Sequence, residues 1–91
     1  MNQPAFNQLE LRTGYRLQFE VAQNSWVLLF PEGMIQLNDT AGIILQQFLQ
    51  PQTLDTAITA LEQQFPGEDI RADIIEFVTD AHDQRWLQDV V

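Results

Sequence analysis

His82 is the chain's single histidine, and Asp80 and Asp83 stand on either side of it. A histidine between two carboxylates could ligate a divalent metal or carry a proton. The spacing argues against both. Residues two apart on a helix point about 200° away from each other, so Asp80 and His82 face opposite ways. Cysteine is absent, which excludes disulfides and thiolate metal sites and gives no sign of an oxidising compartment. Ser25 has no base near it in sequence to activate it. Carboxylates are plentiful, but none sits in the apolar context that tunes one for acid–base work. There is no glycine-rich phosphate loop. These residues predict a chain that is not an enzyme and holds no metal and no cofactor.

Charge points to the kind of partner instead. Thirteen acids face four arginines (Arg12, Arg16, Arg71 and Arg85), lysine is absent, and the net charge is −9. A field of that sign repels phosphate backbones and anionic lipid, so the expectation is no nucleic acid and no membrane. It favours solubility and would steer a basic or neutral partner. The start, Met1-Asn2-Gln3-Pro4-Ala5-Phe6, has no basic region followed by an apolar run, and no apolar stretch approaches the ~20 residues of a membrane span. A cytoplasmic protein is expected.

The elements that must position a binding site are legible in the periodicity. The 91 residues make one domain, and 45% of them are hydrophobic, enough for a single core. Residues 1–13 are polar and uneven and read as a flexible N-terminal segment, with Leu9 and Leu11 able to begin an extended stretch. From Tyr15 to Val21 the pattern alternates, with Tyr15, Leu17, Phe19 and Val21 on one face of a half-buried strand. Ala22-Gln23-Asn24-Ser25 is a turn. Trp26 to Phe30 is a continuous apolar run suited to a central strand. Pro31-Glu32-Gly33 closes a hairpin, with glycine in the left-handed position of a three-residue loop, and Met34 to Leu37 is the returning strand.

Three helices follow. Asn38 or Asp39 can accept the free amides of the first, which buries Ala41, Ile44, Leu45 and Phe48. Gly42 inside it weakens the helix and reads as a site of close packing. Pro51 stops this helix. Thr53 caps the second, with its stripe of Leu54, Ala57, Ile58, Leu61 and Phe65, and Pro66-Gly67 ends it. Asp69 is expected to cap the third. At about 100° per residue, Ile70, Ile74, Phe77, Val78 and Ala81 of that helix converge on a core stripe. Beside it lies a flank of Arg71, Ile75 and His82, and of Trp86 if the helix runs that far. A solvated face has no need of Ile75 and Trp86. The flank either packs on the first strand or the N-terminal segment, or forms one wall of a groove.

A three-stranded antiparallel sheet followed by a three-helix bundle is an α+β domain of winged-helix type, spanning residues 14–91. Such folds often bind DNA. Here the recognition helix would carry Asp73, Glu76, Asp80 and Asp83 against Arg71 and Arg85, the wrong sign for a major groove. The reading that remains is a peptide-binding module: the edge of a small sheet can accept one extended strand from a partner. A winged-helix transcriptional regulator, or another protein-interaction adaptor, is the alternative.

Gly14-Tyr15-Arg16-Leu17-Gln18-Phe19-Glu20, then the run from Leu28 through Phe30-Pro31-Glu32-Gly33-Met34-Ile35-Gln36-Leu37-Asn38-Asp39-Thr40-Ala41 to Leu45, resembles PqqD. That family is the peptide chaperone of pyrroloquinoline quinone biosynthesis. Leu61-Glu62-Gln63-Gln64-Phe65-Pro66-Gly67 and Asp83-Gln84-Arg85-Trp86-Leu87 fit it too. The Pro-Glu-Gly turn before Leu-Asn-x-Thr-Ala is the most specific part. The resemblance implies a non-catalytic recognition domain. It would hold the ribosomal precursor peptide of the cofactor and present it to a radical S-adenosylmethionine enzyme. The peptide would add as a strand along Met34, Ile35, Gln36 and Leu37, against a helix wall of Arg71, Ile75, Val78 and His82. The sequence carries no sign of oligomeric state.

Overall fold

The structure is a computed structural model and describes residues 6–90. In chain order the elements are β1 (Gln8–Leu11), β2 (Arg16–Glu20), β3 (Ser25–Phe30), β4 (Gly33–Gln36), α1 (Asp39–Gln46), β5 (Gln52–Thr53), α2 (Leu54–Gln64), α3 (Arg71–Asp83) and β6 (Leu87–Asp89). The class is the α+β mixture of antiparallel sheets and three helices that the pattern predicts.

Alternation builds the first sheet, in the order β2-β3-β4. The apolar run of β3 takes the centre, where Val27 and Leu28 are buried. Phe19 pairs with Trp26 across β2 and β3, and their rings meet edge-on at 5.4 Å. The alternating face stops there. Val21 falls in the turn that follows β2 and is 82% exposed, because the chain reverses one residue earlier than the pattern suggests. The hairpin is also tighter than expected: Phe30 pairs with Gly33, which leaves a two-residue loop of Pro31 and Glu32.

Capping chemistry fixes two of the helices. The Asn38 side chain accepts a hydrogen bond from the Ala41 amide at 2.8 Å, and Thr53 Oγ1 accepts from the Thr56 amide at 3.1 Å. The stripes of α1 and α2 are buried as their period requires, with Phe48 at 0% exposure behind α1. Gly42 allows α1 to lie directly on Trp26. A methyl group at Gly42 would stand 2.6 Å from Trp26 Cδ1, closer than two carbons can come. The third helix departs from expectation. It begins at Arg71 behind Ile70, with no side-chain cap, and Asp69 stays exposed in the preceding coil. It ends at Asp83, short of Trp86. There the Arg85 amide donates to the His82 carbonyl at 3.0 Å and the Trp86 amide to the Ala81 carbonyl at 2.9 Å. That pair of bonds is a Schellman ending, with Arg85 in the left-handed position at φ 66°.

A second sheet was not expected. β1 lies between β5 and β6 and pairs antiparallel with both. Leu9 at its centre is 0% exposed in the core. Leu11 and Arg12 donate backbone bonds to the carbonyls of Phe48 and Trp86, at 2.8 and 2.9 Å. Gln8–Leu11 is therefore ordered structure rather than part of a loose segment. Its side chains are too polar and its span too short for a strand to show in sequence alone. The flexible start expected over residues 1–5 lies outside the described residues. No helix among the described residues is long and apolar enough to cross a membrane.

Candidate functional site: the free border of β4 and the adjoining helices

With β3 in the centre, β4 is an edge of its sheet, and among the described residues no strand pairs with its outer border. The N-terminal strand, the nearest candidate to seal it, is taken up by β5 and β6. The register tells which groups β4 offers. Leu37 donates its amide to Trp26 at 2.8 Å, so the bonded positions facing β3 are Leu37, Ile35 and Gly33. The amides and carbonyls of Met34 and Gln36 therefore point outward. Their side chains agree with that exposure: Met34 is 50% exposed, and exposed Gln36 donates from Nε2 to Ser25 Oγ at 3.1 Å. Ile35 packs on the core and Leu37 is buried. Of the four residues expected along this border, Met34 and Gln36 present bonding groups, and Ile35 and Leu37 anchor the strand from behind.

The expected helix wall is dispersed. Arg71 Nε lies 3.6 Å from Glu62 of α2. His82 Nε2 is 3.3 Å from Asp89 of β6, and the ring of Phe6 covers it at 4.9 Å between centroids. Ile75 is half-buried against the core, and Val78, at 0% exposure, has no surface to give. The period rightly places the four on one face of α3. Of the readings left open for that face, packing by the N-terminal segment is met at His82, through Phe6, whereas the contacts from α2 and β6 are not among them.

A different hollow opens beside α1, the helix that follows β4. The strand passes through Leu37 and the cap Asn38 straight into the first turn of α1. There Thr40 and Ile43 face Phe65 at the end of α2 and Ile70 and Ile74 of α3 around a cavity of about 260 Å³. Glu68 and Asp73 line it as well and give it an acidic rim. Nothing in the buried stripes points to this site, although the sequence carries one signal for it: Ile43 is apolar while lying about 150° from the centre of the buried stripe of α1. Among the described residues no group of three or more histidines, cysteines or carboxylates could hold a metal ion. An open strand edge has the means to bind an extended chain by its backbone, and an apolar hollow has the means to select a side chain.

Comparison with known proteins bears on what such a site is for. The family model described as coenzyme PQQ synthesis protein D, PqqD, matches residues 25–87, from the start of β3 to the start of β6. The chain belongs to the PqqD family. Among its relatives, a PqqA binding protein of Azotobacter vinelandii is 40% identical over 97% of this chain and 98% of its own length. Another PqqA binding protein, from Pseudomonas putida, is 46% identical over 84% of this chain and 85% of its own. The fold is similar to the solution NMR structure of the PqqD truncation of Methylobacterium extorquens PqqCD. The TM-score is 0.73 and the identity 29%, over 97% of this chain and 99% of that one. That protein is described as a functional, stand-alone recognition element for ribosomally synthesized and post-translationally modified peptides.

The span matched to PqqD holds β4, α1, α2 and α3, and with them the free border and the hollow. The first two strands fall before it. The Azotobacter relative aligns over 90 residues, which brings β1 and β2 within the family likeness as well.

Proposed function

We propose that this PqqD-family chain is a non-catalytic peptide chaperone of pyrroloquinoline quinone biosynthesis. It binds the ribosomal precursor peptide by strand addition and presents it, in the cytoplasm, to a radical S-adenosylmethionine enzyme. The observation that carries this reading is the free border of β4, with the amides and carbonyls of Met34 and Gln36 turned outward. The names of the relatives support the identity of the guest, since they are PqqA binding proteins. The guest's backbone bonds to β4, and one of its apolar side chains enters the hollow lined by Ile43 and Ile70.

Met34→Pro tests the mode of binding. Proline is tolerated on an edge strand where the amide faces outward, so the sheet survives and one donor to the guest is lost. One hydrogen bond is worth about 0.5–1.5 kcal/mol, which corresponds to roughly twofold to tenfold weaker binding of the precursor peptide. Titration of the isotope-labelled domain reads both the affinity and the fold. Unchanged affinity in a folded Met34→Pro variant would remove strand addition from the mechanism.

A further inference from the structure

Three of the four arginines, Arg12, Arg16 and Arg85, form no ion pair with a carboxylate among the described residues, and Arg12 and Arg85 are the two that share a surface. Both line one open hollow of about 490 Å³, together with His82 and Gln88 and with buried Leu87. Its walls are fixed. Gln88 Nε2 donates to Glu10 at 2.8 Å and to Thr13 Oγ1 at 3.1 Å, while its Oε1 accepts from the Thr13 amide at 3.1 Å. The Arg12 guanidinium lies 5.6 Å from the centre of the Tyr15 ring, which restrains it without using its hydrogen-bond donors. Arg85 occupies the left-handed position of the Schellman ending of α3, at φ 66°. Glycine or asparagine fills that position at lower backbone cost.

We propose that this hollow docks a single carboxylate, an aspartate or glutamate side chain of a second polypeptide partner. A guanidinium presents its donors as a fork that matches one carboxylate. Asp83 and Asp89 line the same hollow and the chain carries a net charge of −9, so anions of higher charge, such as phosphate-rich polyanions, are repelled more strongly than a single carboxylate that the two guanidiniums offset. The position also separates it from the guest's site. His82 lies eight residues along α3 from Ile74 of the other hollow, about 12 Å at 1.5 Å per residue. Both sites can be filled together, and the carboxylate site stands whether or not β4 takes a strand.

The test uses the full-length isotope-labelled chain at low salt. Two acetylated, amidated tripeptides, Ala-Glu-Ala and Ala-Gln-Ala, are titrated in parallel while the side-chain Nε–Hε signals of Arg12 and Arg85 are followed. The glutamate peptide is expected to shift both signals saturably and the glutamine peptide to leave them in place. Arg12→Gln and Arg85→Gly are each expected to abolish the response at the remaining arginine, and Arg85→Gly to melt a few degrees higher because the left-handed position is relieved. Equal responses to the two peptides overturn the proposal, as does a glutamate response that survives in Arg85→Gly. Inorganic phosphate that saturates the same signals at lower concentration than the glutamate peptide overturns it too, by making the hollow a free-anion site.

Discussion

Gly42 illustrates how one atom decides a local outcome. In an exposed helix, glycine to alanine adds about 1 kcal/mol of stability through propensity alone. Here the added carbon would meet Trp26 at 2.6, 2.7 and 2.9 Å, at three atoms near the root of the indole rather than at a flexible tip. Overpacking of that kind costs about 1–3 kcal/mol. The clash wins, so Gly42→Ala is expected to destabilise the fold by about 1 kcal/mol and lower Tm by roughly 4–8 °C. A melting curve that moved upward would mean that α1 can rise off the sheet. The sequence shows that a glycine interrupts a helix. It does not show that the indole lying on it comes from Trp26.

At the scale of elements, α1 connects the strand edge to the hollow. It has only eight residues, too few for a stable isolated helix, so it depends on the Asn38 cap and on its packing. Its flank provides half-buried Ile43 to the hollow, whereas half-buried Ile75 lies on the α3 flank between the Arg71–Glu62 pair and His82 with Phe6 on it. The two walls therefore separate in experiment. Ile43→Gln is expected to weaken precursor-peptide binding about tenfold or more, since an apolar anchor contributes about 1.5–3 kcal/mol when fully buried. Ile75→Gln is expected to lower stability and leave binding within about twofold. Calorimetric titration of both variants decides between them, and the reverse result would restore the α3 flank as the guest's wall. Periodicity made α1 and α2 readable because their stripes and caps lie within a few residues of each other. It identified the face of α3 and allowed for the N-terminal segment that supplies Phe6, but not for Glu62 and Asp89, which come from separate elements whose placement no stripe encodes.

At the scale of the whole molecule, the N-terminal strand is the element least legible in the sequence, where Leu9 and Leu11 alone mark an extended stretch and nothing marks its partners. Gln8–Leu11 alternates too briefly to register, and its partners are Gln52–Thr53 and Leu87–Asp89, near the middle and the end of the chain. That long-range pairing joins the two ends of the molecule through a core residue, Leu9, at 0% exposure. If residues 1–13 were a loose appendage, Leu9→Ala would be silent. In a core position the same substitution costs about 2–5 kcal/mol, a large share of the 5–15 kcal/mol that holds a small domain together. Urea unfolding is expected to show a midpoint shifted down at unchanged slope, the signature of lost stability rather than of a changed unfolded state. The consequence extends to function. While β1 is paired between β5 and β6, it is not available to β4, whose outer border no strand among the described residues pairs with. Leu9→Ala should therefore weaken precursor-peptide binding only in proportion to the fraction unfolded. A larger loss, in a population still folded by circular dichroism, would mean that the released strand competes for β4.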